Sequence, residues 1–123
     1  MQLLIIADDF TGALDVSVQF ARYDVRLKVI TSSAMDNNLF TQQDIDVLVI
    51  DTETRHQAPE KAAAVVTQII CTAKEHGITY CYLKVDSGLR GNVGATLSAA
   101  LEASGEKFLA FAPAYPEMQR ICK

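Results

Sequence analysis

The chain has 123 residues, 50% of them hydrophobic and 21% charged, the composition of a single domain with a buried core. Its formal net charge of −4 offers no basic footprint for nucleic acid or for an anionic membrane surface, so neither is expected as a partner. The three cysteines share no Cys-x-x-Cys spacing and have only His56 and His76 beside them, which argues against a disulfide framework and predicts no metal site.

Met1-Gln2 leads into Leu3-Leu4-Ile5-Ile6-Ala7, an unbroken apolar run closed by two carboxylates, without a basic stretch ahead of it. It reads as a strand buried on both faces in a cytoplasmic protein. Thr11 is the expected N-cap of a helix running to about Tyr23, with Ala13, Leu14, Val18 and Ala21 on its apolar face. Leu27–Thr31 predicts an outer strand, and the Ser, Asn and Asp residues after it predict a surface loop. A second buried strand is expected over Asp46–Asp51. Pro59 opens a long helix in which Ala62, Val65, Val66, Ile69, Ile70 and Ala73 keep helical spacing up to Gly77. Thr79–Val85 is strand-like, and about Asn92 to Ser104 helix-like with Val93, Leu97, Ala100 and Leu101 on one face. Phe108–Ala112 is the expected fifth strand. Cys71 and Cys81 read as small core residues and Cys122 as a free thiol in the tail.

Strands alternating with helices predict an α/β fold, a three-layer, mostly parallel open sheet of about five strands with helices on both faces. In such sheets ligands bind outside the carboxyl ends of the strands. Four polar clusters follow the strand-like runs. They are Asp8-Asp9-Phe10-Thr11-Gly12, Asp51-Thr52-Glu53-Thr54-Arg55, the segment from Lys84 to Asn92, and Pro113-Ala114-Tyr115-Pro116. Asp8 and Asp9 are close enough in sequence for one pKa to be raised and suit a hydroxyl, a cation or Mg²⁺, and Arg55 has the fork to grip a carboxylate or phosphate. The densest cluster carries Lys84, Asp86, Ser87, Arg90, Gly91 and Asn92 just before a helix whose free N–H groups favour an anion. Asp86 is suited to orient or deprotonate a hydroxyl. Neither G-x-G-x-x-G after the first strand nor a P-loop is present, so no standard dinucleotide or P-loop nucleotide site is expected.

Taken together and in this order, the four motifs resemble the four-carbon acid sugar kinase family. The resemblance implies that residues 1–123 form the N-terminal, sugar-acid-binding domain of an ATP-dependent kinase. It also implies that ATP and Mg²⁺ are held mainly by a second domain, of which this chain contains none. Asp8, Asp9 and Asp86 become the catalytic candidates, with one Asp accepting the proton of a terminal hydroxyl and the Asp8–Asp9 pair favoured. Thr11, Arg55, Lys84, Ser87, Arg90, Gly91 and Asn92 become the substrate-binding candidates. The expected partner is a small sugar acid of the threonate, erythronate or oxo-tetronate type, and a homodimer stays open. Gln119 departs from the pattern, which usually has Gly before Arg120.

Two other readings fit parts of the chain. A non-catalytic module that binds a small acid needs the same pocket and no nucleotide. A receiver-like phosphoacceptor domain would use Asp51 after the third strand, but it requires a Lys at the end of the fifth, where Phe111-Ala112-Pro113-Ala114 has none.

Overall fold

A computed structural model describes residues 1–121. It contains β1 (Leu3–Ala7), α1 (Phe10–Ala21), β2 (Leu27–Thr31), β3 (Val47–Asp51), α2 (Pro59–Glu75), β4 (Tyr80–Lys84) and α3 (Val93–Ser104). Short 3₁₀ turns at Ser32–Ala34 and Asn37–Thr41 fill the loop after β2. The strands form a parallel sheet in the order β2-β3-β1-β4. Ala7 stands opposite both Asp51 and Lys84, and Thr31 opposite Asp51, so all four strands end level.

Period-two alternation divides the core. Leu4, Ile6, Leu48 and Ile50 pack with Val66, Ile69, Ile70 and Ala73 of α2 and with Ala99 and Ala100 of α3. On the other face Ile5, Ala7, Val47 and Val49 meet Ala13 and Val16 of α1. The chain leaves β1 toward one face, and β3 and β4 toward the other. Crevices therefore open at the carboxyl ends of β1/β3 and β1/β4, the switch points where such sheets take ligands.

The three-layer α/β architecture agrees with the sequence reading, and several details differ. The N-cap of α1 is Asp9, whose Oδ1 accepts from the Gly12 N–H at 2.8 Å, and Thr11 lies inside the first turn. A carboxylate caps more effectively because it also complements the positive helix end. The buried face of α1 is Gly12, Ala13, Val16 and Ser17, while Leu14 and Val18 are exposed. Small residues let this helix sit close to the sheet, and that rotates the larger ones outward. In α3 the buried residues are Thr96, Ala99 and Ala100, with Val93, Leu97 and Leu101 only partly covered, for the same reason.

Cys71 and Cys81 are exposed free thiols rather than core residues. Cys71 falls outside the inward stripe of α2, and Cys81 lies on the edge strand β4. The expectation for Cys122 lies outside the described residues. The fifth strand does not form: residues 108–112 pair with no strand, and Phe108 and Phe111 are 86% and 48% exposed. On β4 itself Tyr80, Cys81 and Tyr82 are already exposed, so a strand beyond it would gain too little burial to offset the entropy of ordering. Among the described residues, no helix is long and apolar enough to cross a membrane.

Candidate functional site

The loop after β3 is built to deliver Arg55. The Thr52 N–H and hydroxyl both donate to the Ala7 carbonyl, at 2.9 and 2.8 Å. Thr52 and Thr54 share a buried hydroxyl contact at 2.8 Å, and the Arg55 N–H donates to the Asp8 carbonyl at 3.2 Å. These bonds lash the loop to the end of β1 and aim the guanidinium inward. Nε and Nη2 of Arg55 donate to Oδ2 and Oδ1 of Asp8, both at 3.0 Å. Nη1 pairs with Asp9 Oδ2 at 2.9 Å, and Asp86 Oδ1 lies 3.9 Å from Nη2. With a side chain only 11% exposed, Arg55 sits among three carboxylates brought in by β1 and β4 and is shared between them.

The loop after β4 turns around Asp86. Its Oδ2 accepts from the N–H groups of Gly88 and Arg90, both at 3.1 Å. The Arg90 side chain closes a fork on the same carboxylate, Nε at 2.9 Å and Nη2 at 2.8 Å. The Arg90 guanidinium beside it holds the Asp86 carboxyl far below the usual carboxylate range, with backbone N–H groups acting in the same sense. Gly91, at φ +88°, passes against this cluster. A Cβ there would stand 2.9 Å from Asp8 Oδ2 and 3.2 Å from Arg55 Cγ, so only glycine leaves the Asp8–Arg55 pair intact.

Asp8, Asp9, Arg55, Asp86 and Arg90, which lie far apart in sequence, thus form one ion network on one rim. Thr11, Lys84 and Ser87 line the adjoining cavity with Asp9, Arg55, Asp86 and Arg90. This cavity, about 1540 Å³, runs from the rim along β4 to residues 108–116, and it is large because that segment stands away from the β4 edge. Lys84 donates Nζ to the Val85 carbonyl at 2.9 Å. Asn92 is turned elsewhere: its amide donates to the Thr54 and Gln57 carbonyls, at 3.0 and 2.8 Å, tying the start of α3 to the Arg55 loop. Asp8 likewise faces Arg55 and a small inner pocket beside Asn92 and Thr96 instead of the main cavity.

Sequence reasoning missed the hydroxyl ladder of Thr52 and Thr54, whose signal is the Thr-x-Thr alternation before Arg55. From sequence, Tyr115 and Arg120 either border the pocket or cover the bare sheet edge; both line the cavity, and Arg120 Nη1 donates to Ser87 Oγ at 2.7 Å. Asp51 is fully buried and so closed to a phosphate donor, which removes the support for a receiver-like role. Its Oδ1 accepts from the Glu53 N–H at 3.1 Å, while Oδ2 has no partner among the described residues. Burial, reinforced by the neighbouring Glu53, pushes its pKa up to about 6.

Fold and site together define a small ligand-binding α/β domain with an acid–guanidinium rim at the carboxyl edge of its sheet. The chain belongs to the family described as the sugar-binding N-terminal domain, whose model matches residues 3–123. It is 37% identical over 121 residues to a D-threonate kinase of Salmonella typhimurium, a match covering 98% of this chain and 28% of that protein. Over 123 residues it is 30% identical to a 3-oxo-tetronate kinase of Actinobacillus succinogenes, covering 94% of this chain and 28% of the relative. A crystal structure of a domain of unknown function (DUF1537) from Bordetella bronchiseptica, with bound citrate and as a domain-swapped dimer, matches with a TM-score of 0.76. That match has 33% sequence identity and covers 86% of this chain and 27% of the other. The chain spans less than a third of the length of these relatives.

Proposed function

We propose that residues 1–123 are the sugar-acid-binding domain of a cytoplasmic, ATP-dependent kinase that phosphorylates a four-carbon sugar acid at a terminal hydroxyl. The observation that carries this reading is the convergence of Asp9, Asp86, Lys84, Ser87 and Arg90 on one cavity, since a polyhydroxy acid needs acceptors for hydroxyls and cations for a carboxylate. The relatives' names, D-threonate and 3-oxo-tetronate kinase, support that substrate class.

Of the three acids, Asp9 is the best candidate for the base. It lines the cavity and gives Arg55 one oxygen, Oδ2, whereas both Asp8 oxygens are held in the Arg55 fork and both Asp86 oxygens in that of Arg90. Asp86 is held strongly anionic by Arg90 and is a poor proton acceptor, better suited to orienting a hydroxyl. Arg55 acts as the hub that lets the acids crowd together, with little of its charge left for substrate. Guanidinium groups already occupy these carboxylates, which leaves them little capacity for a divalent cation. On this reading ATP and Mg²⁺ belong to the part of the relatives that lies outside this chain. The unpaired β4 edge, together with the relative described as a domain-swapped dimer, supports pairing of two copies.

Titration calorimetry of the chain against D-threonate, 3-oxo-tetronate and ATP tests the reading. Heat from a sugar acid and none from ATP is expected; binding of ATP without either acid would overturn it. Binding of the acid by a longer protein that transfers no phosphate would favour the non-catalytic module.

A further inference from the structure

Charge at the rim leaves one requirement unmet. Asp8, Asp9 and Asp86 are paired by Arg55 and Arg90, and Lys84 gives its Nζ to the Val85 carbonyl, so an arriving anion meets carboxylates whose guanidinium partners are already engaged. Every nitrogen of Arg55 is occupied, and Nε and Nη2 of Arg90 are held by Asp86. Lys84 is a point charge, so a guanidinium fork still open to a carboxylate has to come from another segment.

Arg120 meets that description. The turn from Tyr115 to Arg120 is closed by paired backbone bonds, with the Tyr115 N–H donating to the Arg120 carbonyl at 2.6 Å and the Arg120 N–H to the Tyr115 carbonyl at 3.1 Å. This turn brings the side chain to the same cavity that Asp9, Lys84, Asp86 and Arg90 line. Its Nη1 rests on Ser87 Oγ at 2.7 Å, and among the described residues it pairs with no carboxylate, Glu117 of its own turn included. With Nη1 on Ser87, the Nε and Nη2 edge remains, and two parallel N–H groups are the arrangement that receives a carboxylate in a bidentate pair.

We infer that Arg120, braced on Ser87, binds the carboxylate of the sugar acid and so selects acids over neutral polyols. This rests on the sugar-acid reading above and adds to it the residue that recognises the acid group. The ligand is then held at its acid end by the terminal segment and at its hydroxyls by the β1 and β4 loops, which places Arg120 in the role first expected of Arg55.

The test is calorimetry of the wild-type chain, Arg120→Ala and Arg120→Lys with D-threonate and with threitol, the matching polyol lacking the carboxylate. Thermal melting checks that the exposed substitutions leave the fold unchanged. Wild type should prefer the acid, Arg120→Ala should lose about tenfold or more in acid affinity with threitol binding unaltered, and Arg120→Lys should recover part of the loss. Unchanged acid affinity in Arg120→Ala, or parallel loss of acid and polyol, overturns the inference and leaves the sugar-acid reading standing. A wild-type chain that gives no heat with the acid overturns both.

Discussion

Leu3–Ala7 and Phe108–Ala112 are both five-residue apolar stretches, yet the first is the centre of the sheet and the second is irregular chain. β1 has β3 on one edge and β4 on the other, with α1 and the α2–α3 pair covering its faces, and Leu4, Ile5 and Ala7 are fully buried. The later stretch has only the half-covered edge of β4 beside it. Hydrophobic composition makes a strand available, but neighbours on both edges and both faces make it stable. The contrast continues into the site. Loops rooted in the central strands hold the rigid ion network, while the segment beyond α3 carries Arg120 on a turn with little burial.

Core truncation should separate the two regions most sharply. Leu48→Ala, at a fully buried position in β3, is expected to lower stability by about 3 kcal/mol, whereas Phe111→Ala should change it by less than about 1 kcal/mol. Urea unfolding measures both, and similar losses would mean that residues 108–112 are packed after all.

Next in size is Arg55→Met, which keeps the length of the side chain and strands Asp8, Asp9 and Asp86 without their common cation. A loss of about 2 to 3 kcal/mol is expected at neutral pH. A loss below about 1 kcal/mol in urea unfolding would show that the network is not held by charge.

Asp51 tests the ground beneath that network. Its pKa is raised to about 6 in the folded state, so the folded protein binds the proton more tightly than the unfolded chain. The associated stability is present below about pH 4, the unfolded carboxyl value, and is lost as pH rises to about 6. Asp51→Asn keeps the acceptor for the Glu53 N–H and should be more stable than wild type by about 2 kcal/mol at pH 7, with the gain gone near pH 4. Melting temperatures across this range check the sign.

The smallest effect is expected in the terminal segment. Gln119 sits at φ +58°, a left-handed conformation that favours glycine. Gln119→Gly should stabilise the Tyr115–Arg120 turn by about 0.5 to 1 kcal/mol, read as slower hydrogen exchange of the Tyr115 and Arg120 amides. Unchanged exchange would mean that other contacts set the turn.

Much of the fold was legible because the central elements obey strong local rules. Continuous apolar runs marked β1 and β3, and the spacing from Ala62 to Ala73 marked α2 with its inward face. The inward faces of α1 and α3 were not legible, since small residues such as Ala13, Ser17 and Ala99 outrank Leu and Val where a helix approaches a sheet closely. Asp8, Asp9, Arg55, Asp86 and Arg90 could be picked out as site candidates from their places after strands. Their pairing could not, because it depends on the angle at which three loops meet.

Sequence alone determined the α/β alternation, the parallel sheet and the edge at which charged loops gather, because strand and helix periodicities are local and the level ends of parallel strands follow from them. Tertiary structure decided that Arg55 is locked among acids while Arg120 reaches the cavity, and that the last apolar stretch stays outside the sheet. Ion pairing and burial depend on which surfaces meet in space, and residues 35 to 47 positions apart touch here, as Asn92 does Gln57 and Arg55 does Asp8.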